Sequence, residues 1–106
     1  MPKKIYITGK ITGLPKEEYT ANFEKAKQYL ISKGYDAVRP LDYTNADMTW
    51  SECMKICLKV MLDCDGIYYL HNWYDSRGAQ IENSFAWGYC KIFNPNFIHL
   101  TNEIIN

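Results

Sequence analysis

The chain has no surplus of either charge: twelve Lys and Arg residues face twelve Asp and Glu residues in 106 positions. Duplex DNA or RNA is gripped through its phosphates, and proteins that do so carry a basic excess. Its absence argues against duplex nucleic acid as a partner. A small anion is not excluded, because amides at a helix start hold a phosphate without net charge. The four cysteines, Cys53, Cys57, Cys64 and Cys90, include no C-x-x-C pair, which removes the usual zinc and redox spacings. Cys53 and Cys57 lie four apart on an expected helix, but two thiols alone do not complete a zinc site, so no metal is expected. No apolar run approaches the ~20 residues needed to cross a bilayer, and Met-Pro-Lys-Lys leads straight into a strand-like run without a signal-peptide pattern. The expectation is a cytoplasmic protein with reduced thiols and no membrane contact. The dinucleotide fingerprint G-x-G-x-x-G is missing as well, and no cofactor is expected. Repeats, low-complexity tracts and linkers are absent, and the length leaves room for one domain.

What is present is a sizeable apolar fraction, 47%, with nine Tyr and three Trp. That is enough for a core and argues against disorder. Lys4-Ile5-Tyr6-Ile7-Thr8 is β-branched and aromatic and reads as a first strand, ended by Gly9 and an irregular loop to Pro15. Phe23, Ala26 and Leu30 recur at helical spacing, so a helix is expected over about 18–33, with Gly34 as its C-terminal cap. A second strand is expected over 35–39, then a polar loop over 41–49. Ser51 is the expected N-cap of a helix over 52–62. Gly66 to Leu70 is nearly all apolar, as suits an interior parallel strand covered on both faces. The spacing of Ile81, Phe85 and Tyr89 predicts a third helix over 78–89, and a last strand is expected over 96–100. Strand and helix alternate throughout. That order predicts a three-layer α/β/α, Rossmann- or flavodoxin-like domain with a parallel sheet of four or five strands. Ligands of such folds bind beyond the carboxyl ends of the strands, where the loops 9–15, 41–49 and 71–76 belong.

Chemistry concentrates in two of those loops. In Trp73-Tyr74-Asp75-Ser76-Arg77-Gly78-Ala79-Gln80-Ile81-Glu82, Ser76 is a candidate N-cap whose hydroxyl and following amides could take an anion. Gly78 and Ala79 are small enough to let a ligand approach. Glu82, one turn on, follows the edge of the apolar stripe. It is either a partly desolvated carboxylate aimed at the helix start or a surface complement to the helix dipole. Gly9-Lys10-Ile11-Thr12-Gly13 offers flexible backbone, amides and a lysine, which could hold a phosphate or sugar. Trp73 could stack on a base or cover the core. His71 and His99 have no partner at catalytic or metal spacing and read as structural.

Taken together, these residues resemble the nucleoside 2-deoxyribosyltransferase-like superfamily, in particular its small phage and bacterial branch. They are also similar to 2′-deoxynucleoside 5′-phosphate N-hydrolases. The resemblance runs from Lys4 to about Ile98 and rests on Tyr6-Ile7-Thr8-Gly9-Lys10-Ile11-Thr12-Gly13, on Cys64-Asp65-Gly66-Ile67, and on Trp73-x-x-Ser76-x-Gly78-Ala79-x-x-Glu82. It implies that Glu82 is the nucleophile at the anomeric carbon of a deoxyribosyl group, by the logic of a retaining glycosidase. It further implies that Tyr6 lies near that nucleophile. Ser76 and Gly78 would hold a 5′-phosphate or 5′-hydroxyl, and Gly9, Ile11 and Gly13 would line the sugar and phosphate loop. The ligand would be a small nucleoside or nucleotide. Relatives complete the pocket from a second subunit, which implies a homodimer. One position departs from the pattern. The family's enzymes carry an aspartate eight residues before the aspartate that precedes the third strand, Asp65, where this chain has Cys57. A thiol is a poor proton donor to a departing base. Either another acid serves, with Asp42 of the second loop the candidate, or the pocket binds a nucleotide or ADP-ribose-like ligand without turnover.

Overall fold

Tyr6 and Thr8 alternate with Ile5 and Ile7 along the first strand, and strand geometry sends the two pairs to opposite faces of a sheet. A computed structural model describes residues 2–101 and shows both faces covered. The elements are β1 (Lys4–Thr8), α1 (Lys16–Ser32), β2 (Asp36–Val38), α2 (Trp50–Leu62), β3 (Gly66–Tyr69), α3 (Arg77–Phe85), α4 (Lys91–Phe93) and β4 (Ile98–Thr101). A π-helical segment, Ala86–Cys90, joins α3 to α4, and short 3-10 turns occupy Pro40–Asp42 and Trp73–Asp75. The four strands form one parallel sheet in the order β2-β1-β3-β4.

Ile5 and Ile7 bury against Phe23, Ala26 and Leu30 of α1, together with Tyr68 and Leu70. Tyr6 faces the other way, with Ile67 and Tyr69, onto Cys57 and Met61 of α2 and onto Ala86 and Cys90 beyond α3. Helices therefore cover both faces, and the domain has three layers. The chain runs from β1 outward to β2 and then back past β1 to β3. Keeping one hand for every crossover places α1 on one face and α2 and α3 on the other. The reversal also leaves a crevice between the carboxyl ends of β1 and β3, where such sheets bind ligands. β3 lies between β1 and β4, and all four of its residues are buried.

Local signals set the element ends. At the end of α1, the amide of Gly34 donates to the Ile31 carbonyl and that of Tyr35 to the Leu30 carbonyl. This Schellman closure needs the left-handed backbone that Gly34 adopts, with φ of 89°. α2 starts two residues before the expected 52, and its N-cap is Thr49 rather than Ser51. Thr49 Oγ1 accepts from the Glu52 amide at 3.1 Å, and the Glu52 carboxylate accepts from the Thr49 amide at 3.4 Å. Thr-x-x-Glu is a capping box, and two satisfied amides outweigh the one that Ser51 could serve. The last strand begins at Ile98, two residues later than expected.

The third helix departs furthest from the expected pattern. Its buried row is Ala79, Glu82, Ala86 and Cys90, while Phe85 and Tyr89 of the expected apolar stripe are exposed. The small residues face the sheet because the helix lies close upon it, which leaves the aromatic rings outside. An α-helix drifts about 40° in every four residues, so Glu82, Ala86 and Cys90 could not stay in line. The wider π turn at Ala86–Cys90 works against that drift, and Ala86 and Cys90 are both buried.

Candidate active site

Because residues two apart in a strand share a face, Tyr6 and Thr8 both point toward α3. Between them sits the Glu82 carboxylate. The Tyr6 hydroxyl donates to Glu82 Oε2 at 2.6 Å, and the Thr8 hydroxyl donates to Oε1 at 2.7 Å. Glu82 is 5% exposed, and Thr8 and Tyr6 are fully buried. Burial pushes the Glu82 carboxyl up to about 7, although the two hydroxyls hold it back in part. No cation forms an ion pair with it among the described residues. Near neutral pH it therefore exchanges readily between acid and carboxylate, as a group used for proton or nucleophilic chemistry does. Burial and the adjoining Glu82 charge raise Tyr6 well above the usual tyrosine range, so Tyr6 stays a donor.

Glu82 forms part of the floor of a cleft of about 970 Å³, a size typical of small-molecule sites. Gly9, Lys10, Ile11, Ser76 and Gly78 line it, as do Arg39, Trp50, Met54, Cys57 and Arg77. Ser76 caps α3: its Oγ accepts from the Ala79 amide at 3.2 Å. The first amides of a helix lack intrahelical partners, and here they belong to Arg77 and Gly78, both in the wall of the cleft. Two contacts tie the loops of the rim together. The Lys10 amide donates to Asn72 Oδ1 at 3.1 Å, and the Lys10 ammonium pairs with Asp75. Gly9 is glycine for want of space, since a Cβ there would lie 2.4 Å from Leu70 Cδ1 and 2.9 Å from Leu70 Cβ. A Cβ at Gly78 would come within 3.1 Å of Met54 Sδ, so this glycine lets α3 start against α2.

Four residues singled out from the sequence stand apart from the cleft wall. Gly13, with φ of 92°, turns the first loop and does not line the cleft. Trp73 packs edge-on against Tyr69 with ring centroids 5.2 Å apart, and so covers the core. Asp42 lies in the 3-10 turn after β2 and is bound to Arg39, with Oδ1 2.8 Å from Nη2. Burial alone would raise its pKa, but the Arg39 guanidinium and amide outweigh it and hold the carboxyl below its ordinary range. Tyr6 does not line the cleft either and reaches it only through Glu82.

Thr8, Trp50 and Arg77 escaped the sequence reading as site residues. Thr8 was within reach, because alternation puts it beside Tyr6 on the same face. Trp50 and Arg77 belong to different helices, and the guanidinium lies 4.9 Å from the center of the indole ring. Nothing in the local sequence of either residue signals that pairing. Cys57 lies four residues from Cys53, and both line the cleft. All four cysteines are free thiols. Burial drives Cys57 up to about 11 despite its hydrogen bond with Tyr6, so it remains a neutral thiol at physiological pH. Among the described residues no three His, Cys, Asp or Glu side chains gather as a metal site would require, and no helix is long and apolar enough to cross a membrane.

The family described as Domain of unknown function (DUF4406) matches residues 3–93. The chain belongs to that family. No curated protein matches it. The matched span of the DUF4406 domain runs from β1 through α4 and so contains Tyr6, Thr8, Glu82 and every residue that lines the cleft.

Proposed function

We propose that this DUF4406 domain binds a deoxynucleoside or its 5′-monophosphate and cleaves or transfers at the N-glycosidic bond through Glu82. The observation that carries this reading is the Glu82 carboxylate, buried at the cleft floor and held at both oxygens by Tyr6 and Thr8. A carboxylate fixed in this way loses little freedom when it attacks, and partial desolvation strengthens it as a nucleophile. The amides at the start of α3, the Ser76 hydroxyl and Lys10 suit a phosphate. Trp50, Met54, Pro40 and Leu41 supply the apolar wall a base needs. In the reaction, a Glu82 oxygen bonds to the anomeric carbon as the carbon–nitrogen bond breaks with its electron pair on the base. A water or an acceptor nucleoside then displaces Glu82 from the glycosyl ester. In hydrolysis, water supplies hydroxide to the sugar and, through solvent, the proton that leaves on the base.

The test is incubation with a panel of deoxynucleosides and their 5′-monophosphates, followed by assay for free base. Glu82→Gln should lower base release by several orders of magnitude and keep ligand binding within about tenfold, or ~1.4 kcal/mol. Equal base release by wild type and variant would remove Glu82 from the reaction.

One observation favours a second reading. The thiol nearest the carboxylate is neutral and held near 11, so no strong acid stands beside Glu82 to protonate a departing base. On that reading the same cleft sequesters a nucleotide or an ADP-ribose-like molecule without turnover. Cys57→Asp distinguishes the two. If wild type releases no base and the variant does, the cleft is a glycosidase site that lacks only its acid. Tight binding by both with no release supports sequestration.

A further inference from the structure

Among the described residues, four cationic side chains line the cleft: Lys10, Lys16, Arg39 and Arg77. Two of them are already answered. Lys10 pairs with Asp75, and Arg39 pairs with Asp42 and Glu24. Lys16 and Arg77 form no ion pair among the described residues, but their neighbourhoods differ. Glu17 and Glu18 share the first turn of α1 with Lys16, so opposite charge lies along the same turn. The first turn of α3 holds no acidic residue. Asp75 is engaged by Lys10, and Glu82 is buried beneath Tyr6 and Thr8. The Arg77 charge is thus left unanswered in the cleft wall, and an unanswered charge in a cleft favours an ion of opposite sign. Trp50 gives that charge a fixed place: the guanidinium lies over its ring, 4.9 Å from the center. A stacked guanidinium spends its face on the ring and keeps the N–H donors of its edge for an anion.

We propose that Arg77 is the residue by which the cleft selects a nucleoside 5′-monophosphate over the nucleoside itself, and that Trp50 positions it. This selection rests on the reading of the cleft as a nucleotide site and narrows it to the phosphorylated class. Ser76 and Gly78, on either side of Arg77, line the cleft as well. The Ser76 Oγ accepts from the Ala79 amide, and its own hydrogen remains to be donated to a ligand. A hydroxyl and a backbone amide are neutral donors. They hold a 5′-hydroxyl oxygen and a phosphate oxygen by the same kind of bond, whereas a charged donor tells the two apart. The planar fork of a guanidinium matches two phosphate oxygens at once. Held flat on the indole, it gives up little freedom when the phosphate arrives, and that saving appears as affinity. Turnover and sequestration are served alike, because both require the ligand to be bound.

Calorimetry of the full chain tests it, with the four common deoxynucleosides and their 5′-monophosphates as probes at pH 8, where the phosphate carries close to two charges. For each base the reading is the ratio of monophosphate affinity to nucleoside affinity. In wild type that ratio should be about tenfold or more for at least one base, and Arg77→Gln should lower it roughly tenfold. Arg77 is exposed, so the variant should keep the far-UV circular dichroism spectrum of wild type. Should Arg77→Gln fail to fold, Arg77→Lys reads the same point: it keeps the charge without the planar fork and should lower the ratio by about threefold. Trp50→Leu should also lower the ratio about threefold, and should leave it unmoved once residue 77 is Gln. A contact of Trp50 with the base would instead move both affinities together. Equal affinity of wild type for nucleoside and monophosphate, or a folded Arg77 variant with the wild-type ratio, would overturn the selection and leave the nucleotide reading standing. Binding of neither class of probe, for any base, would remove the nucleotide reading and the selection with it.

Discussion

Two carboxylates follow the carboxyl ends of β2 and β3, the strands on either side of β1, and their surroundings are opposite. Glu82 is buried, meets two neutral hydroxyls and, among the described residues, no ion-pair partner, and its pKa rises to about 7. Asp42 is partly exposed, is clasped by Arg39, and its pKa falls. Burial acts in the same direction on both, and the partner decides the outcome. A guanidinium stabilises charge and leaves a settled ion pair that holds a loop. A hydroxyl pair offers only partial compensation and leaves a carboxylate whose charge is costly. Such a group is worth its cost only where something is to be done with it. Arg39 also reaches Glu24 of α1 at 2.9 Å, so the Asp42 region behaves as a clamp between the second loop and the first helix.

The largest effect expected from this contrast lies in stability at alkaline pH. Below about 4.5 Glu82 is protonated in both the folded and the unfolded chain and has no effect. As pH rises from there through about 7, the unfolded chain releases the proton before the folded one does, and folding stability falls. Above that range the cost is complete, on the order of 3 kcal/mol. Glu82→Gln keeps the shape and removes the charge. Urea unfolding should show the variant more stable than wild type by roughly that amount at pH 8, with no gain at pH 4. A variant that is equal or weaker at pH 8 would mean that Tyr6 and Thr8 fully compensate the charge, and the contrast with Asp42 would collapse. The same titration governs chemistry. The nucleophile is the ionised form, so base release should rise with pH through about 7.

A smaller effect belongs to the two donors. Tyr6→Phe removes the hydrogen bond to Oε2 and should push Glu82 higher still. At pH 8 the folded state should lose about 1.5 kcal/mol, the value of a hydrogen bond to a charged group. The rise in activity should move upward by about one pH unit, which is the same free energy expressed as a pKa. Thr8→Val should act in the same direction. A pH profile that stays in place in both variants would show that burial alone sets the Glu82 pKa.

These contrasts were only partly visible in the sequence. The alternation of strands and helices foretold the parallel sheet and the two covered faces, because periodicity is a local property. Ser76 as cap and Glu82 one turn later could also be read locally. The burial of Glu82 was one of two readings left open by its place at the edge of the apolar stripe, and the buried row itself was misplaced, since Ile81, Phe85 and Tyr89 make a more obvious stripe than Ala79, Ala86 and Cys90. Hydrophobicity marks what wants to be covered, and here close packing on the sheet admitted the small residues and left the rings outside. The second loop failed for another reason. Asp42 looked available because its partner, Arg39, sits just before Pro40 at a strand end. Nothing in the chain says whether such a side chain turns toward solvent or back over the turn. The joint wall made by Trp50 and Arg77 depends on how two helix starts face each other across the cleft, and no local pattern encodes that.

The smallest effect is expected at Asp42, and it has the opposite sign to that at Glu82. Its carboxyl is held below its ordinary range by Arg39, so its contribution is present above about the unfolded value of 3.8 and is lost as pH falls through the lower folded value. Asp42→Asn should therefore destabilise the domain at pH 7 and cost less as the solution is acidified. The magnitude should stay below about 1 kcal/mol, because the pair is partly exposed and screened by solvent. It should shrink further in high salt. Base release by the variant should stay within about threefold of wild type, since a carboxylate engaged by Arg39 and absent from the cleft wall has no proton to give a departing base. A loss of a hundredfold or more, with stability little changed, would instead make Asp42 the acid of the reaction. The second loop would then have to release Arg39 and swing over the cleft when substrate binds, and the two carboxylates would be partners in one mechanism.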